Sequence, residues 1–250
     1  MLTTIKRSAQ QLAREFGLDV RRHDLLASEH TRLALLLAAS QIDLVLDIGA
    51  NTGQWARELR RAGYSGDMIS FEPMPRAHTQ LKQNASGDPK WIVAERMALG
   101  ERIAEVEINI AGNSLSSSLL PMLPMHVAGA PESVYVGSEK TPMVTLDSLV
   151  GSVIPASRSR IFCKLDVQGY EAKVLAGAAG LLGKTIGLQM EISLAPLYRG
   201  QPAFQELLET MARSGYEIFG FVPGFVDPTS GRMLQIDGVF FKDSGEREVR

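Results

Sequence analysis

The chain has 250 residues, of which 45% are hydrophobic and 22% are charged, and its formal net charge is −2. This length and composition fit one globular α/β domain with a sizeable core, and the chain is rather short for two full domains. The small net charge gives no electrostatic basis for binding nucleic acid, which usually requires a basic surface. The single cysteine, Cys163, excludes an intramolecular disulfide and a cysteine-rich zinc site.

The N-terminal segment is predicted to be helical. Between residues 5 and 40, apolar positions such as Leu33, Leu36 and Leu37 recur at helical spacing, with charges between them. We expect residues 1–42 to form a helical cap over the sheet or over the mouth of a cofactor site. No stretch has the character of a signal peptide or the length needed to cross a bilayer. The expected location is therefore the cytoplasm, with peripheral contact to a membrane-bound substrate left open.

Strands and helices alternate in the next part of the chain. Strands are predicted at about 43–48, 67–71 and 91–96, and helices run from about 54 to 62 and from about residue 75. The first of these helices stops at Gly63, and Pro75 suits the first turn of the second.

Residues 104–145 break this alternation. Residues 105–110 alternate in polarity as a half-exposed strand does, whereas residues 112–142 are rich in Ser, Pro, Met and Gly. The second segment is predicted to be a long irregular insertion. Because it carries Met122, His126 and Tyr135, it is more apolar than a disordered linker. We expect it to form a loop over the substrate site.

The alternation resumes after the insertion. Further strands are predicted at about 160–166, 186–192, 216–221 and 235–241, with helices at about 173–179 and 204–214. Repeated β-α-β units indicate a doubly wound, mainly parallel sheet. The predicted fold class is therefore α/β, with one domain over residues 43–242 that contains the insertion.

The turn after the first strand is the most informative stretch. Residues 45–53 read Val-Leu-Asp-Ile-Gly-Ala-Asn-Thr-Gly, so an apolar strand leads through Gly49 and Gly53 into a polar helix start. Such a turn lets backbone N–H groups approach a ligand closely. The spacing differs from the G-x-G-x-x-G of dinucleotide binders, and no P-loop lysine follows. The carboxylate of Asp47 would repel a pyrophosphate but would favour the ammonium and sulfonium groups of S-adenosylmethionine.

In open α/β sheets, ligands sit beyond the carboxyl ends of the strands. The residues predicted at those ends are Asp47, Glu72, Met97, Ala98, Asp166 and Glu191. Glu72 stands 25 positions after Asp47, where a carboxylate can accept both ribose hydroxyls of a nucleoside. The alternative is an acid that caps the following helix. Met97 and Ala98 either flank adenine or are ordinary turn residues.

A reaction at a substrate hydroxyl group would need a base that accepts its proton. The candidates are Asp166, Glu191 and His126. The structural alternatives are a helix cap for Asp166, an ion pair with Lys164 for Glu191, and no role for His126. A metal ion bridging Asp166 and Glu191 would also acidify a hydroxyl, but two carboxylates without a third ligand make a weak signal, and we expect no metal.

Other polar and aromatic residues are candidates for ligand contacts. Ser114 and the serines at 116–118 either hydrogen-bond a polyhydroxyl substrate or the cofactor carboxylate, or form a flexible hinge. Trp55 follows the glycine turn and either covers the cofactor or packs its helix on the sheet. Tyr135 and Tyr198 offer flat faces on which a sugar ring could rest.

Several of these motifs together resemble class I S-adenosylmethionine-dependent methyltransferases, and among them the FkbM family. The matching stretches are 46–53 (Leu-Asp-Ile-Gly-Ala-Asn-Thr-Gly), 71–73 (Phe-Glu-Pro), 98–100 (Ala-Leu-Gly), 114–118, 145–147 (Thr-Leu-Asp), 164–171 (Lys-Leu-Asp-Val-Gln-Gly-Tyr-Glu) and 189–191 (Gln-Met-Glu). The resemblance covers roughly residues 43–222. The chain departs from the family at Gln168, where an acid usually precedes the glycine.

The resemblance implies a seven-stranded sheet with an antiparallel last strand, and O-methylation of sugars, glycolipids or polyketides. It implies cofactor contacts from Asp47, Gly49, Asn51, Gly53 and Glu72, and by position from Met97 and Ala98. We add two further expected contacts, Ala50 within the same turn and Asp166 beside the transferred methyl group.

The leading hypothesis is an O-methyltransferase that uses S-adenosyl-L-methionine and acts on a sugar, glycolipid, polysaccharide or polyketide-type hydroxyl. Nucleic-acid methylation is disfavoured, because Asp166 is followed by Val-Gln-Gly rather than Pro-Pro-aromatic and Cys163 lies inside a strand. Two alternatives stay open. One is a nicotinamide-dependent oxidoreductase, which a cofactor titration would separate from a methyltransferase. The other is a catalytically silent nucleoside-binding scaffold, which an Asp166→Asn variant would separate.

Overall fold

A computed structural model describes residue 16 and residues 28–242 of the chain. Most of the predicted N-terminal cap therefore lies outside the described residues. The part within them is a helix, α1 (Glu29–Ala39), which begins where Ser28 accepts a hydrogen bond from the backbone N–H of Thr31. Leu33 and Leu37 are buried on one side of this helix, so the predicted helical periodicity is confirmed here.

The strands and helices follow the predicted alternation closely outside the insertion. The strands are β1 (Leu44–Ile48), β2 (Asp67–Phe71), β3 (Trp91–Val93), β4 (Ala98–Leu99), β5 (Ala104–Ala111), β6 (Tyr135–Val144), β7 (Ile161–Leu165), β8 (Thr185–Ser193), β9 (Tyr216–Pro223) and β10 (Gln235–Lys242). The helices after α1 are α2 (Gln54–Arg61), α3 (Pro75–Ala85), α4 (Pro124–Gly129), α5 (Glu171–Ala176) and α6 (Phe204–Arg213).

The described residues form a seven-stranded main sheet in the order β3-β2-β1-β7-β8-β10-β9. The pairs β2–β3, β1–β2, β1–β7 and β7–β8 are parallel, whereas β10 runs antiparallel to both β8 and β9. The sheet is thus mostly parallel with an antiparallel last strand, and the predicted α/β fold class is confirmed. The carboxyl ends of β1, β2, β7 and β8 meet at one edge of the sheet.

Helices cover both faces of this sheet, as a doubly wound fold requires. On one face α1, α2 and α3 bury Leu37, Leu59 and Leu81 against Val45 and Phe162. On the other face α5 and α6 pack on the side chains that alternate with these, such as those of Leu46 and Leu165. Strand alternation therefore gives two apolar layers and leaves the strand ends open for a ligand.

The insertion is more regular than predicted. Residues 135–144 were expected to lie in or beside an irregular loop, but β6 pairs antiparallel with β5 and parallel with β4 in a second, three-stranded sheet. The expectation fails because Gly137, Ser138 and Pro142 carry loop character, and only Thr141 and Met143 of this strand are buried. A strand held mainly by its backbone ladder shows little hydrophobic periodicity. The segment between β5 and β6 includes the short helix α4.

Among residues 28–242, no helix combines the length and the apolar character that crossing a membrane requires.

Candidate functional site

A cavity of about 290 Å³ opens at the carboxyl edge of the main sheet, close to the lower end of the range for small-molecule sites. It collects most of the residues that the sequence nominates. Those that line it are Asp47, Gly49, Ala50, Asn51, Glu72, Met97, Ala98, Asp166 and Glu191. Gly53 and His126 are not among its lining residues.

The turn after β1 is shaped by close backbone packing. Gly49 has a φ of +76°, and a Cβ atom on it would lie 1.9 Å from the carbonyl oxygen of Asp166. Only glycine permits this approach between the ends of β1 and β7. Gly53 also has a left-handed φ of +82°, but a Cβ there would meet Leu81 and Trp91 in the protein interior. Gly53 therefore allows α2 to pack and does not face the cavity.

The N–H groups of this turn are used within the protein. Those of Gly49 and Ala50 both donate to the carbonyl oxygen of Phe71, and that of Asn51 donates to Glu72 Oε2. The N–H of Thr52 donates to Asn51 Oδ1. In the structure these four N–H groups are all engaged by protein acceptors. The turn offers a close-fitting surface and carboxylates rather than a cradle for phosphate.

Asp47 is a fully buried carboxylate beneath this turn. Its Oδ2 accepts a hydrogen bond from Ser70 Oγ at 3.0 Å, and Ser70 Oγ accepts one from Trp91 Nε1 at 2.9 Å. Its Oδ1 has no hydrogen-bond partner among the described residues. Burial raises the pKa of Asp47 from 3.8 to about 6, although the nearby Lys164 ammonium opposes the rise. An unpaired buried carboxylate oxygen at a cavity is a site for a cationic or hydrogen-bond-donating ligand.

Glu72 lies at the end of β2, across the turn from Asp47. Its Oε2 accepts from the N–H of Asn51 and its Oε1 from the N–H of Met74, each at 2.8 Å. Met74 immediately precedes α3, so Glu72 holds the turn before this helix and also forms part of the cavity wall. Burial raises its pKa to about 7, and the two backbone donors limit the rise. Each carboxylate oxygen keeps a free acceptor position.

Asp166, at the end of β7, is held by two side-chain donors. Lys164 Nζ donates to its Oδ2 at 2.6 Å and Gln168 Nε2 to its Oδ1 at 2.8 Å. Lys164 therefore pairs with Asp166. The alternative in which Lys164 forms an ion pair with Glu191 is not what the structure shows. Burial opposes the charge on Lys164, but the carboxylates of Asp166, Asp237 and Asp47 raise its pKa above the ordinary value. The side chain of Asp166 remains 36% exposed toward the cavity.

Glu191, on β8, shares the same amide donor. Gln168 Nε2 donates to Glu191 Oε2 at 3.0 Å as well as to Asp166. Burial raises the pKa of Glu191 well above its ordinary value, and the charges of Asp166, Glu171 and Asp237 add to the rise. Burial and like charges therefore disfavour the ionised form of Glu191, while Asp166 beside it is paired with an ammonium group. Two adjacent carboxyl groups in such different environments are a common arrangement in acid–base sites.

His126 lies away from the cavity, and its expected position on a loop over the site is wrong. It belongs to the short helix α4, is buried, and has Nδ1 at 3.0 Å from Ser133 Oγ and Nε2 at 3.1 Å from Tyr198 Oη. Burial lowers its pKa. Tyr198 is only 1% exposed, so it presents no open face to a sugar. Its hydroxyl instead donates to Gln168 Oε1 at 2.7 Å.

Part of the insertion does line the cavity. Ser114, Leu115, Ser117, Ser118 and Leu119 form one wall, whereas Ser116 is buried beside it. Ser118 Oγ donates to the carbonyl oxygen of Gln168 at 2.7 Å. Trp55 also lines the cavity and packs against the core. Tyr135 donates to the carbonyl oxygen of Leu120 and does not line the cavity.

Sequence reasoning did not identify the roles of Gln168 and Tyr198. The one signal for Gln168 was that it replaces an acid in an otherwise matching motif. Its left-handed φ of +55° and its contacts with both carboxyl groups are visible only in the structure. Nothing in the sequence indicated that Tyr198, 30 positions later, would meet it.

Comparison with known proteins adds three findings. A family model described as "Methyltransferase FkbM domain" matches residues 47–218, more than half of the chain. The 2-O-methyltransferase NoeI of Sinorhizobium fredii (strain NBRC 101917 / NGR234) is 26% identical over 211 residues, which cover 82% of this chain and 85% of that protein. Two solved structures match this chain at lower sequence identity.

The first is a methyltransferase FkbM from Methylobacillus flagellatus KT, with a TM-score of 0.44 and 14% identity over 79% of this chain. The match spans 43% of that longer protein. The second is magnesium protoporphyrin IX methyltransferase (ChlM) from Synechocystis PCC 6803, solved with bound SAM, with a TM-score of 0.44 and 12% identity. That match covers 86% of this chain and 78% of the Synechocystis protein.

Proposed function

Because the chain belongs to the family of methyltransferases with an FkbM domain, we propose that it uses S-adenosyl-L-methionine to methylate a hydroxyl oxygen. The acceptor is a sugar, glycolipid, polysaccharide or polyketide-type molecule. The observation that carries this proposal is the buried Asp47 at the cavity, whose Oδ1 lacks a partner among residues 28–242. The relation to a 2-O-methyltransferase over 82% of the chain supports oxygen as the methylated atom.

The residues around the cavity fit this cofactor. Asp47 and Glu72 complement a cation and the ribose hydroxyls, since both keep free acceptor positions. Met97 and Ala98 provide apolar contacts for an adenine ring. The N–H groups of residues 49–52 are already used, and carboxylates surround the turn. A pyrophosphate would find no donors in this turn, which disfavours a nicotinamide dinucleotide.

Bound S-adenosyl-L-methionine supplies a methyl group activated by its sulfonium charge. We assign Asp166 as the base that accepts the proton of the acceptor hydroxyl, because it faces the cavity and is 36% exposed. Lys164 and Gln168 fix the orientation of its carboxylate through one hydrogen bond to each oxygen. Such a base typically contributes ~10²–10⁴-fold to the rate. Glu191 lines the cavity beside Asp166, and we assign it to orient the acceptor rather than to take its proton.

The wall from the insertion is assigned to the acceptor. Ser114, Ser117 and Ser118 offer hydroxyl groups, and Leu115 and Leu119 offer apolar contacts, on the side of the cavity beside Asp166 and Gln168. A polyhydroxyl acceptor with an apolar portion suits this mixed surface. The insertion in this assignment determines which acceptor is used, and the main sheet holds the cofactor.

Calorimetric titration tests the cofactor assignment. The purified protein should bind S-adenosyl-L-methionine and S-adenosylhomocysteine, and NAD should give no heat. An Asp47→Asn variant should lose at least about tenfold in affinity for S-adenosyl-L-methionine, since it removes a charged acceptor. Methyl transfer is then measured by mass spectrometry of glycolipid, polysaccharide and polyketide acceptors, as a gain of one methylene mass. Tight NAD binding without binding of either sulfur compound would overturn the proposal.

A further inference from the structure

We propose that Gln168 is a positioning residue that holds Asp166 and Glu191 at a fixed separation through one bridging amide, and that Tyr198 and His126 fix this amide from behind. The inference rests on the proposed function, because it takes Asp166 as the group that meets the acceptor. It assigns a role to Gln168, which lines the cavity, and to Tyr198 and His126, which are buried behind it.

The bridge uses both amide protons of Gln168 and one acceptor position on its side-chain oxygen. The two Nε2 protons go to Asp166 Oδ1 and Glu191 Oε2, and Oε1 accepts the hydroxyl proton of Tyr198. The backbone of Gln168 is held in the left-handed region, at φ +55°, where its carbonyl oxygen accepts from Ser118 Oγ. A side chain held at both ends has little freedom to rotate, so the two carboxyl groups are oriented together.

An amide suits this position for electrostatic reasons. Besides the Tyr198 hydroxyl, six ionisable groups interact electrostatically with Asp166, and they are Asp47 on β1, Glu72 after β2, Lys164 on β7, Glu171 on α5, Glu191 on β8 and Asp237 on β10. Lys164 is the one cation among these six groups. A carboxylate at position 168 would add one more like charge between Asp166 and Glu191, whereas the amide gives each of them a donor.

Tyr198 and His126 support the amide from the insertion side. Tyr198 packs on the turn at Gly169, where an added Cβ would lie 3.0 Å from its ring. The rings of His126 and Tyr198 meet at 5.2 Å, and His126 Nε2 lies 3.1 Å from the tyrosine oxygen. The tyrosine hydroxyl donates to Gln168, and its oxygen lies within hydrogen-bonding distance of the imidazole, whose tautomer sets the donor in that contact. A chain of hydrogen bonds thus links α4 to the proposed base.

Three variants test the bridge by activity. Tyr198→Phe removes one hydroxyl and should lower kcat about tenfold, the effect of one lost hydrogen bond, with KM for both substrates within about threefold. Gln168→Met removes both amide donors and should lower kcat further, with a small shift of the acidic limb of the pH–rate profile to higher pH because Asp166 loses one donor. Gln168→Glu should lower kcat and also move the acidic limb of that profile to higher pH. Tyr216→Phe is the matched control, since it removes a buried hydroxyl that donates to Thr185 far from the cavity, and kcat should not change.

A readout without turnover separates this inference from the proposed function. The Tm deficit of Gln168→Glu relative to the wild-type protein should be small at pH 5 and larger at pH 8, because the added buried carboxyl group is neutral only at the lower pH. An equal deficit at both pH values, or an unchanged kcat in Tyr198→Phe and Gln168→Met, would overturn the bridge. A wild-type protein that transfers no methyl group would overturn the proposed function, and the Tm comparison would still decide the bridge.

Discussion

Asp47 and Ser70 are register partners on the adjacent parallel strands β1 and β2, and the hydroxyl of Ser70 donates to Asp47 Oδ2 at 3.0 Å. The same hydroxyl oxygen accepts the indole proton of Trp91. Asp47 Oδ2 is therefore hydrogen-bonded within the core, while Oδ1 has no partner in the part of the chain that the structure describes. A buried ionised group with an unmet acceptor destabilises the free protein and favours a ligand that completes it.

The first prediction is that the Asp47 carboxylate lowers the stability of the free protein and raises its affinity for the cofactor. The rise of its pKa from 3.8 to about 6 corresponds to about 3 kcal/mol of folding free energy lost at pH 8. Asp47→Asn removes this charge, so the Tm of the free variant at pH 8 should equal or exceed that of the wild-type protein. Its affinity for S-adenosyl-L-methionine should nevertheless fall at least about tenfold. Differential scanning calorimetry and isothermal titration on the same samples check both parts.

Ser70→Ala provides the control for this variant. It leaves the charge of Asp47 in place but removes the donor to its Oδ2 and the acceptor of Trp91. Loss of buried hydrogen bonds should lower the free energy of unfolding by about 1–3 kcal/mol. A loss of stability in Asp47→Asn as large as in Ser70→Ala would contradict the view that the carboxylate is kept for its ligand.

The second prediction is a pH dependence of cofactor binding. Burial raises the pKa of Asp47 to about 6 and that of Glu72 to about 7 in the free protein. Both groups are therefore largely protonated at pH 5.5 and ionised at pH 8. Groups with raised pKa values favour the folded state most at low pH and lose that contribution as the pH rises past them. A cationic ligand that needs the ionised forms of these groups should instead bind more tightly as the pH rises.

The Tm increase caused by saturating S-adenosyl-L-methionine should therefore be larger at pH 8 than at pH 5.5. Glu72→Gln should flatten this dependence above pH 6, because the titration that remains is that of Asp47. An increase in Tm that is the same at both pH values would show that neither carboxyl group needs to be ionised for binding.

Much of the fold was readable from the sequence because its elements depend on local signals. Strand β2 coincides with the predicted residues 67–71, since an apolar run there ends at Glu72 and Pro73. Pro75 marks the start of α3, and Gly63 follows the end of α2. These boundaries are set by proline, glycine and hydrophobic runs, all of which act within a few residues. The insertion lacked such signals, so β6 was missed.

The candidate site divides in the same way. Asp47, Glu72, Asp166 and Glu191 were found because parallel strands bring their carboxyl ends to one edge of the sheet. That topology fixes which residues meet but not how their side chains pair. The bond of Lys164 to Asp166, the burial of His126 and the contact between Tyr198 and Gln168 depend on packing across 2 to 72 positions of sequence. Side-chain partners at such separations leave no pattern in a single sequence.

The third prediction compares two glycines that share a left-handed backbone. Gly49 has a φ of +76° and no room for a Cβ, whereas Gly63 has a φ of +102° and nothing within 4 Å of an added Cβ. Gly63→Ala should therefore lower the free energy of unfolding by about 1–2 kcal/mol, the cost of the backbone conformation alone. Gly49→Ala should cost more, because its Cβ meets the carbonyl oxygen of Asp166.

Gly49→Ala should also reduce methyl transfer at a temperature where it remains folded, since relief of the clash must shift the end of β7 that carries Asp166. Chemical denaturation measures the first effect and initial rates measure the second. Equal stability of the two variants would mean that the turn after β1 adjusts to the added Cβ at little cost. The close contact of this turn with β7 would then not be needed for function.

The fourth prediction separates the two carboxyl groups that share Gln168. Asp166→Asn removes the proposed base and should lower kcat by ~10²–10⁴-fold, with cofactor affinity within about tenfold of the wild-type value. Burial and three neighbouring carboxylates raise the pKa of Glu191 and disfavour its ionised form, so Glu191→Gln should change the charge of the site less than Asp166→Asn does. The amide has nearly the same shape and can donate a hydrogen bond, so kcat should stay within about threefold at pH 7. Single-turnover rates with labelled cofactor measure both, and a larger loss in Glu191→Gln than in Asp166→Asn would reverse the assigned roles and make Glu191 the proton acceptor.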